Sequence, residues 1–198
     1  SSVSLTNGSI SGCLSTNYSS GYEGGAIRLE DKGTSLTADG TLFENNKGYR
    51  GGALSLGTET IATLIDTQFL NHEAHLMGGA ISLEKEAQLI CQGCIFEDNV
   101  APDGGAIFLG IDAEWTDTDG SFSRNNATAN GGAVYGTSPK FILSTGIHFE
   151  GNTAKDGGAL HLDRPNNIQL TNPTFEDNEA TSKGGALYLI NDGILNLT

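Results

Sequence analysis

The amino-acid sequence predicts an all-β protein that folds as a right-handed parallel β-helix (a solenoid) of about seven coils, with 26–27 residues and three short strands per coil. Two observations predict this fold. Gly-Gly-Ala followed by a branched aliphatic residue recurs at intervals of 26 or 27 residues, starting at Gly24, Gly51, Gly78, Gly104, Gly131, Gly157 and Gly184. A second motif, Phe-x-x-Asn, falls between successive copies at a nearly constant offset. Registered repeats of this length indicate stacked units that bury their apolar faces against one another.

The residues after each Gly-Gly-Ala form the first predicted strand. An apolar residue, a variable residue and usually a leucine follow the motif, as in Ile27-Arg28-Leu29. This alternation with period two is typical of a β-strand. A helical repeat would require long runs with a period of 3.6 residues, and the sequence contains none.

Two further strands complete the predicted coil. The second carries inward apolar residues such as Leu36 and Trp115, and the third ends on the phenylalanine of the second motif. Stacking of equivalent positions predicts an aromatic ladder of Phe43, Phe69, Phe96, Phe122, Phe149 and Phe175. It also predicts an amide ladder of Asn46, Asn99, Asn125, Asn152 and Asn178. The ladder departs from its pattern at His72, and the glycine pairs are expected to supply positive φ at tight corners.

Composition limits the possible partners and the domain organisation. The chain has 28 glycines and four prolines, which indicates tight turns within ordered structure. Its 24 acidic and 10 basic residues give a formal charge of −14, which argues against nucleic acid and anionic membrane surfaces. No apolar stretch is long enough for direct membrane insertion as a helix. We expect residues 1–198 to form a single β-helix domain with a degenerate first coil at 1–23, excised from a longer protein.

Candidate catalytic and metal-binding residues are few. The run from Asp117 to Gly120 has the beginning of a calcium loop but lacks the remaining ligands, so we expect a solvated acidic corner. Asp117 itself falls in an inward apolar column, which indicates either an internal hydrogen bond or a local bulge. His72 and His75 share a corner without a third zinc ligand. The sequence therefore predicts no catalytic residue, no metal and no other cofactor.

Cys91 and Cys94 both occupy inward positions around one corner. A redox Cys-x-x-Cys usually opens a helix, and a zinc site would need a second such pair. Two interpretations remain open, namely two buried small residues or a local disulfide.

The residue between the two inward positions of the first strand points away from the core. In successive coils this column reads Arg28, Ser55, Ser82, Phe108, Tyr135, His161 and Tyr188. The last four predict an exposed aromatic stripe, and contiguous exposed aromatic residues often mark binding sites. Ordinary packing between neighbouring strands is the alternative.

Gly24-Gly25-Ala26-Ile27, and the equivalent segments starting at Gly78 and Gly104, carry the first motif in its full form. The alternation of both tetrapeptides from about residue 14 to 190 resembles the chlamydial polymorphic membrane proteins, in which they recur through the passenger of an autotransporter. The resemblance implies a β-helical passenger at the cell surface or outer membrane, acting in virulence as an adhesin toward host cells. It also suggests intermolecular pairing for Cys13.

The expected function is that of a surface-displayed adhesin segment, which binds a host cell-surface protein receptor without catalysis. A structural spacer or self-assembling β-helix module is the first alternative, because the end strands could stack on other copies. A polysaccharide-active β-helix enzyme is the second. Such an enzyme needs a groove with converging carboxylates, and the sequence does not point to one.

Overall fold

The computed structural model describes residues 1–15 and 24–198, and these residues form 28 β-strands and no helix. The strands are short, three to five residues each. In chain order they are β1 (Ser2–Thr6), β2 (Ser9–Ser11), β3 (Ile27–Leu29), β4 (Ser35–Asp39), β5 (Leu42–Glu44), β6 (Lys47–Arg50), β7 (Leu54–Leu56), β8 (Ile61–Ile65), β9 (Gln68–Leu70), β10 (Glu73–Met77), β11 (Ile81–Leu83), β12 (Gln88–Gln92), β13 (Ile95–Glu97), β14 (Val100–Asp103), β15 (Ile107–Leu109), β16 (Glu114–Thr118), β17 (Ser121–Ser123), β18 (Asn126–Asn130), β19 (Val134–Thr137), β20 (Phe141–Thr145), β21 (His148–Glu150), β22 (Thr153–Asp156), β23 (Leu160–Asp163), β24 (Ile168–Thr171), β25 (Thr174–Glu176), β26 (Glu179–Lys183), β27 (Leu187–Ile190) and β28 (Leu195–Leu197).

Each coil contributes one strand to each of four parallel sheets, which confirms the predicted β-solenoid. Sheet 1 follows the Gly-Gly-Ala motif and contains β3, β7, β11, β15, β19, β23 and β27. Sheet 2 contains β1, β4, β8, β12, β16, β20, β24 and β28, and sheet 3 contains β2, β5, β9, β13, β17, β21 and β25. Sheet 4 contains β6, β10, β14, β18, β22 and β26.

Sheet 4 is absent from the sequence prediction, which had three strands per coil and about seven coils. The structure has six complete coils of four strands, β3–β6 through β23–β26, with partial coils before and after them. The inward positions of sheet 4 hold only small residues, namely Gly48, Ala74, Ala101, Ala127, Ala154 and Ala180. One small inward residue per strand produces no visible alternation. The pairing is also irregular, since the register shifts between Glu73 and Met77.

The glycine pairs form the corner between sheets 4 and 1. Gly78, the first of its pair, has φ of 63°, a left-handed conformation that side chains disfavour. At Gly79 a Cβ atom would lie 2.0 Å from the carbonyl oxygen of Gly105 in the next coil. The backbones of successive coils therefore touch at this corner, and only glycine fits.

The phenylalanine column is stacked inside the solenoid on sheet 3. Adjacent ring centroids from Phe43 to Phe175 lie 4.6 to 5.2 Å apart, and every pair is stacked. All but Phe175 are fully buried. The spacing matches the distance between neighbouring strands of a sheet, so the rings follow the pitch of the coils.

The asparagine column ties each coil to both of its neighbours. Asn125 Nδ2 donates to the carbonyl oxygen of Phe96 in the preceding coil and to Oδ1 of Asn152 in the next, each at 3.0 Å. Asn152 Oδ1 also accepts the backbone N–H of Asn125 at 3.0 Å. Asn99 and Asn152 repeat the arrangement. Every amide therefore satisfies backbone groups that the corner would otherwise leave unpaired.

His72 takes the asparagine position in the second complete coil. Its Nδ1 accepts the backbone N–H of Asn46 at 3.1 Å, and its own N–H donates to Asn99 Oδ1 at 3.0 Å. The buried Nε2 has no partner among the described residues. Burial lowers the pKa of His72 to about 4, so the ring is neutral at pH 7.

Asp117 lies inside the solenoid at 1% exposure, and the register around it is continuous, pairing it with Cys91 and Ser144. The structure therefore has an internal hydrogen bond rather than a bulge, since Oδ1 accepts the N–H of Gly120 at 2.9 Å. The expectation of a solvated acidic corner was therefore wrong for Asp117, because its carboxylate is buried. Its Oδ2, Ser144 Oγ and Trp115 Nε1 have no partner within the described ranges. Burial raises the pKa of Asp117 to about 7.

The two cysteines near this position are free, buried thiols. Cys94 Sγ lies 3.5 Å from the carbonyl oxygen of Leu64, and burial raises the pKa of the Cys91 thiol well above its ordinary value. The structure therefore contains the buried-residue alternative and not the disulfide. Cys13 is also free and half-buried. Residues 16–23, part of the predicted degenerate first coil, lie outside the described residues.

Candidate functional site

The candidate site is the outward face of sheet 1, where it meets sheet 4. Side chains that point out from both sheets contact each other there: His161 Nδ1 lies 2.9 Å from Asn130 Oδ1, and Lys183 Nζ lies 3.2 Å from the Tyr188 hydroxyl. Outward side chains of neighbouring sheets diverge at a convex corner and can meet only at a concave one. The corner is therefore a groove that runs along the solenoid axis.

The floor of the groove is the aromatic column, defined as Phe108, Tyr135, His161 and Tyr188. Successive ring centroids lie 5.8, 5.1 and 4.7 Å apart with tilted planes. Phe108 is 8% exposed and His161 5% exposed. The expected exposed stripe was wrong in this respect, because the concave corner and ring-to-ring packing cover most of the column.

A chain of hydrogen bonds runs from the end of sheet 4, which forms the wall of the groove, to the aromatic column on its floor. Asn130 Nδ2 donates to Asp103 Oδ1 at 2.8 Å, and Asn130 Oδ1 faces His161 Nδ1. A carboxylate only accepts, so the amide nitrogen must face Asp103 and the amide oxygen must face the imidazole. His161 Nδ1 therefore carries a proton, and Nε2 presents a lone pair.

The groove is rich in carboxylates. The charges of Asp103, Asp156 and Asp163 favour the protonated form of His161, yet burial outweighs them and lowers its pKa. The imidazole is consequently neutral at pH 7. Burial, followed by the charges of Asp103 and Asp163, raises the pKa of Tyr135. Two cations lie at the rim: Lys183 beside Tyr188, and Arg164, which pairs with Asp163 at 3.1 Å.

The N-terminal part of the same column holds Arg28, Ser55 and Ser82 in place of the aromatic rings. Arg28 NH1 donates to Ser55 Oγ at 2.9 Å and reaches Glu84 Oε1 at 3.3 Å, two coils away. A hollow of about 340 Å³ lies beside Phe108, lined also by Arg50, Glu84 and Thr137. Ser55 and Ser82 are themselves buried, at 0% and 1% exposure, so this part of the column is covered as well.

A second hollow of about 440 Å³ lies between sheets 1 and 2. Its charged residues pair with one another, as Lys32 does with Glu59 and Lys140 with Glu114. Within residues 1–15 and 24–198, no group of three or more His, Cys, Asp or Glu side chains is arranged to hold a metal ion. These charges form ion pairs on the surface.

The residues that form the wall of the groove, including Asp103, Asn130 and Asp156, were not predicted from the sequence. They stand at the end of sheet 4, which was not predicted. A signal was present, because the residue directly before each glycine pair is nearly always polar or charged. In chain order these residues are Glu23, Arg50, Met77, Asp103, Asn130, Asp156 and Lys183.

The fold and the groove define a parallel β-solenoid repeat protein with a concave outward surface. The sequence model of the Chlamydia polymorphic membrane protein (Chlamydia_PMP) repeat matches residues 93–110, 119–137, 146–163 and 174–189, each with one copy of both motifs. Over these four segments the chain is therefore similar to this family, as the motifs indicated, and the family is one of membrane proteins. No curated protein and no solved structure matches the chain significantly. None of the described residues forms a helix able to cross a membrane.

Proposed function

We propose that this chain is a surface-displayed adhesin segment of a passenger, which binds a protein receptor on host cells without turnover. The aromatic groove carries the proposal. It combines several aromatic rings, which dominate binding energy at protein interfaces, with buried polar atoms of His161 and Asp156 that no described residue satisfies. The family repeats support display at a surface.

The rigid scaffold suits recognition of a large partner. The groove extends across at least four coils, and its floor residues are fixed by parallel pairing on both sides, as Tyr135 is by Phe108 and His161. Fixed side chains lose little conformational entropy on binding. Many shallow contacts along an extended groove can therefore sum to a useful affinity.

Adhesion of beads coated with the purified protein to cultured epithelial cells tests the proposal. Saturable binding that excess soluble protein competes away is expected. Replacing Phe108, Tyr135 and Tyr188 by serine should abolish it. The matched control replaces two exposed apolar residues on sheet 2, Ile90 and Leu143, by serine, and should bind normally. Absent binding by folded protein would leave the spacer or self-assembly alternative, which light scattering can assess.

The polysaccharide-active alternative has one observation in its favour, since the charges of three carboxylates act on His161 in the groove. Paired carboxylates are the machinery of glycoside hydrolysis. Release of reducing ends from a polysaccharide panel, abolished by Asp156→Asn, would favour this enzyme over the adhesin. We expect no release.

A further inference from the structure

Near Tyr135 and His161, the buried polar atoms of the groove without a partner are hydrogen-bond acceptors. His161 Nε2 and Asp156 Oδ1 are buried and have no partner in the described part of the chain. The bond from Asn130 fixes the Nδ1–H tautomer of His161, so Nε2 can only accept. A carboxylate oxygen also only accepts at pH 7. Buried polar groups are rarely left unsatisfied, so we expect a binding partner to supply a hydrogen-bond donor to these two atoms.

The electrostatics of this part of the groove favour a positively charged donor. The negative charges of Asp103, Asp156 and Asp163 act on the imidazole of His161, while Lys183 and Arg164 offset part of that charge from the rim. The faces of the rings are electron-rich and attract cations. Negative side walls above an aromatic floor are complementary to a guanidinium or ammonium group.

Two cations of the chain itself lie in the groove, one toward each end of the column. Lys183 Nζ lies 5.1 Å from the centroid of the Tyr188 ring. Arg28 lies along the serine end and reaches Glu84 with two of its nitrogens at 3.3 Å. The groove thus accommodates a positively charged side chain in two places. The region around Tyr135 and His161 lies between them and is where a cation of a partner would bind.

We infer that the groove binds a basic, extended segment of a protein partner, with an arginine side chain over Tyr135 and His161 that donates to Asp156 and His161 Nε2. The planar guanidinium suits this position because it stacks on aromatic rings and donates in several directions. This inference rests on the proposed function for its choice of a protein partner. It adds the chemistry of the segment that the partner must present.

The test uses a fluorescent peptide of alternating arginine and serine and its counterpart with citrulline, which keeps the shape and most of the donors but not the charge. Fluorescence anisotropy with the whole protein should show about tenfold or greater preference for arginine, decreasing with salt. Asp156→Asn should weaken arginine-peptide binding by about tenfold or more. Asp177→Asn makes the same charge change at an exposed position away from the groove and should leave it unchanged.

Equal binding of the two peptides, or equal effects of Asp156→Asn and Asp177→Asn, would overturn the inference. Displacement of the peptide by a neutral oligosaccharide such as chitohexaose would also overturn it in favour of a glycan. Cell adhesion measured in parallel separates the two proposals. Adhesion that persists without arginine-peptide binding refutes only the inference, whereas peptide binding without adhesion refutes the adhesin function.

Discussion

Replacing the buried carboxyl group of Asp117 by an amide should remove a pH-dependent loss of stability. The pKa of Asp117 is about 7 in the folded protein, against 3.8 for an unperturbed aspartate. The folded state therefore retains the proton where the unfolded chain has lost it. Stability from this group is full below pH 3.8 and is lost as the pH rises through 7. At about 1.36 kcal/mol per pKa unit, the total is roughly 4 kcal/mol, of which about 2.5 kcal/mol is lost between pH 5 and 8.

Urea unfolding at pH 5 and pH 8, followed by the fluorescence of Trp115, measures this difference. Trp115 is the only tryptophan, is fully buried and lies two residues from Asp117 on the same face of β16. Asp117→Asn keeps an oxygen for the Gly120 N–H. The free energy of unfolding of the wild type should fall relative to that variant by roughly 2.5 kcal/mol from pH 5 to pH 8.

Asp177→Asn is the matched control, because Asp177 is exposed and is not among the groups that shift the pKa of Asp117. Its stability should follow the pH dependence of the wild type. Parallel stability curves for the wild type and Asp117→Asn would show that the buried carboxyl group is not protonated near neutral pH. The reasoning from burial would then be refuted.

Three further substitutions probe the ladders and the corner. His72→Asn should complete the amide ladder, raising the unfolding free energy by about 1 kcal/mol and removing sensitivity to acid below pH 6; unchanged acid unfolding would contradict the buried neutral histidine. Phe96→Ala should cost about 3–5 kcal/mol in urea unfolding, whereas a loss under 1 kcal/mol would mean that the stack readily collapses. Gly105→Ala places a Cβ atom 2.0 Å from the Gly132 carbonyl oxygen and should abolish the cooperative thermal transition; Gly8→Ala, with open space around it, should leave the transition unchanged.

The large inward side chains were predictable from the sequence alone. Phe96 and Leu83 repeat with the coil period, and a bulky apolar residue at a fixed register can only be explained by burial. Sheet 4 was not predictable in this way, because Ala101 and its equivalents are small enough to fit any environment. Nothing in an alanine column distinguishes a strand from a corner.

The groove was only partly predictable. The period-two pattern correctly directed Tyr135 and His161 away from the core, but their exposure depends on the angle between sheets 4 and 1. That angle follows from backbone conformation at glycines such as Gly131, which alternation does not encode. For the same reason, Asp156 could not be assigned to the site before the structure showed which sheets meet there.

The directed bonding of the asparagine column has a consequence for how such chains can change in length. Each amide contacts only the coils immediately before and after it, and Met77 and Asp103 occupy equivalent positions at the ends of adjacent strands. Deleting residues 78–103 would join Met77 to Gly104 and bring His72 next to Asn125. The same donors and acceptors would meet across the splice. Whole coils are thus exchangeable units, and recombination between repeats can lengthen or shorten the rod without the evolution of a new interface.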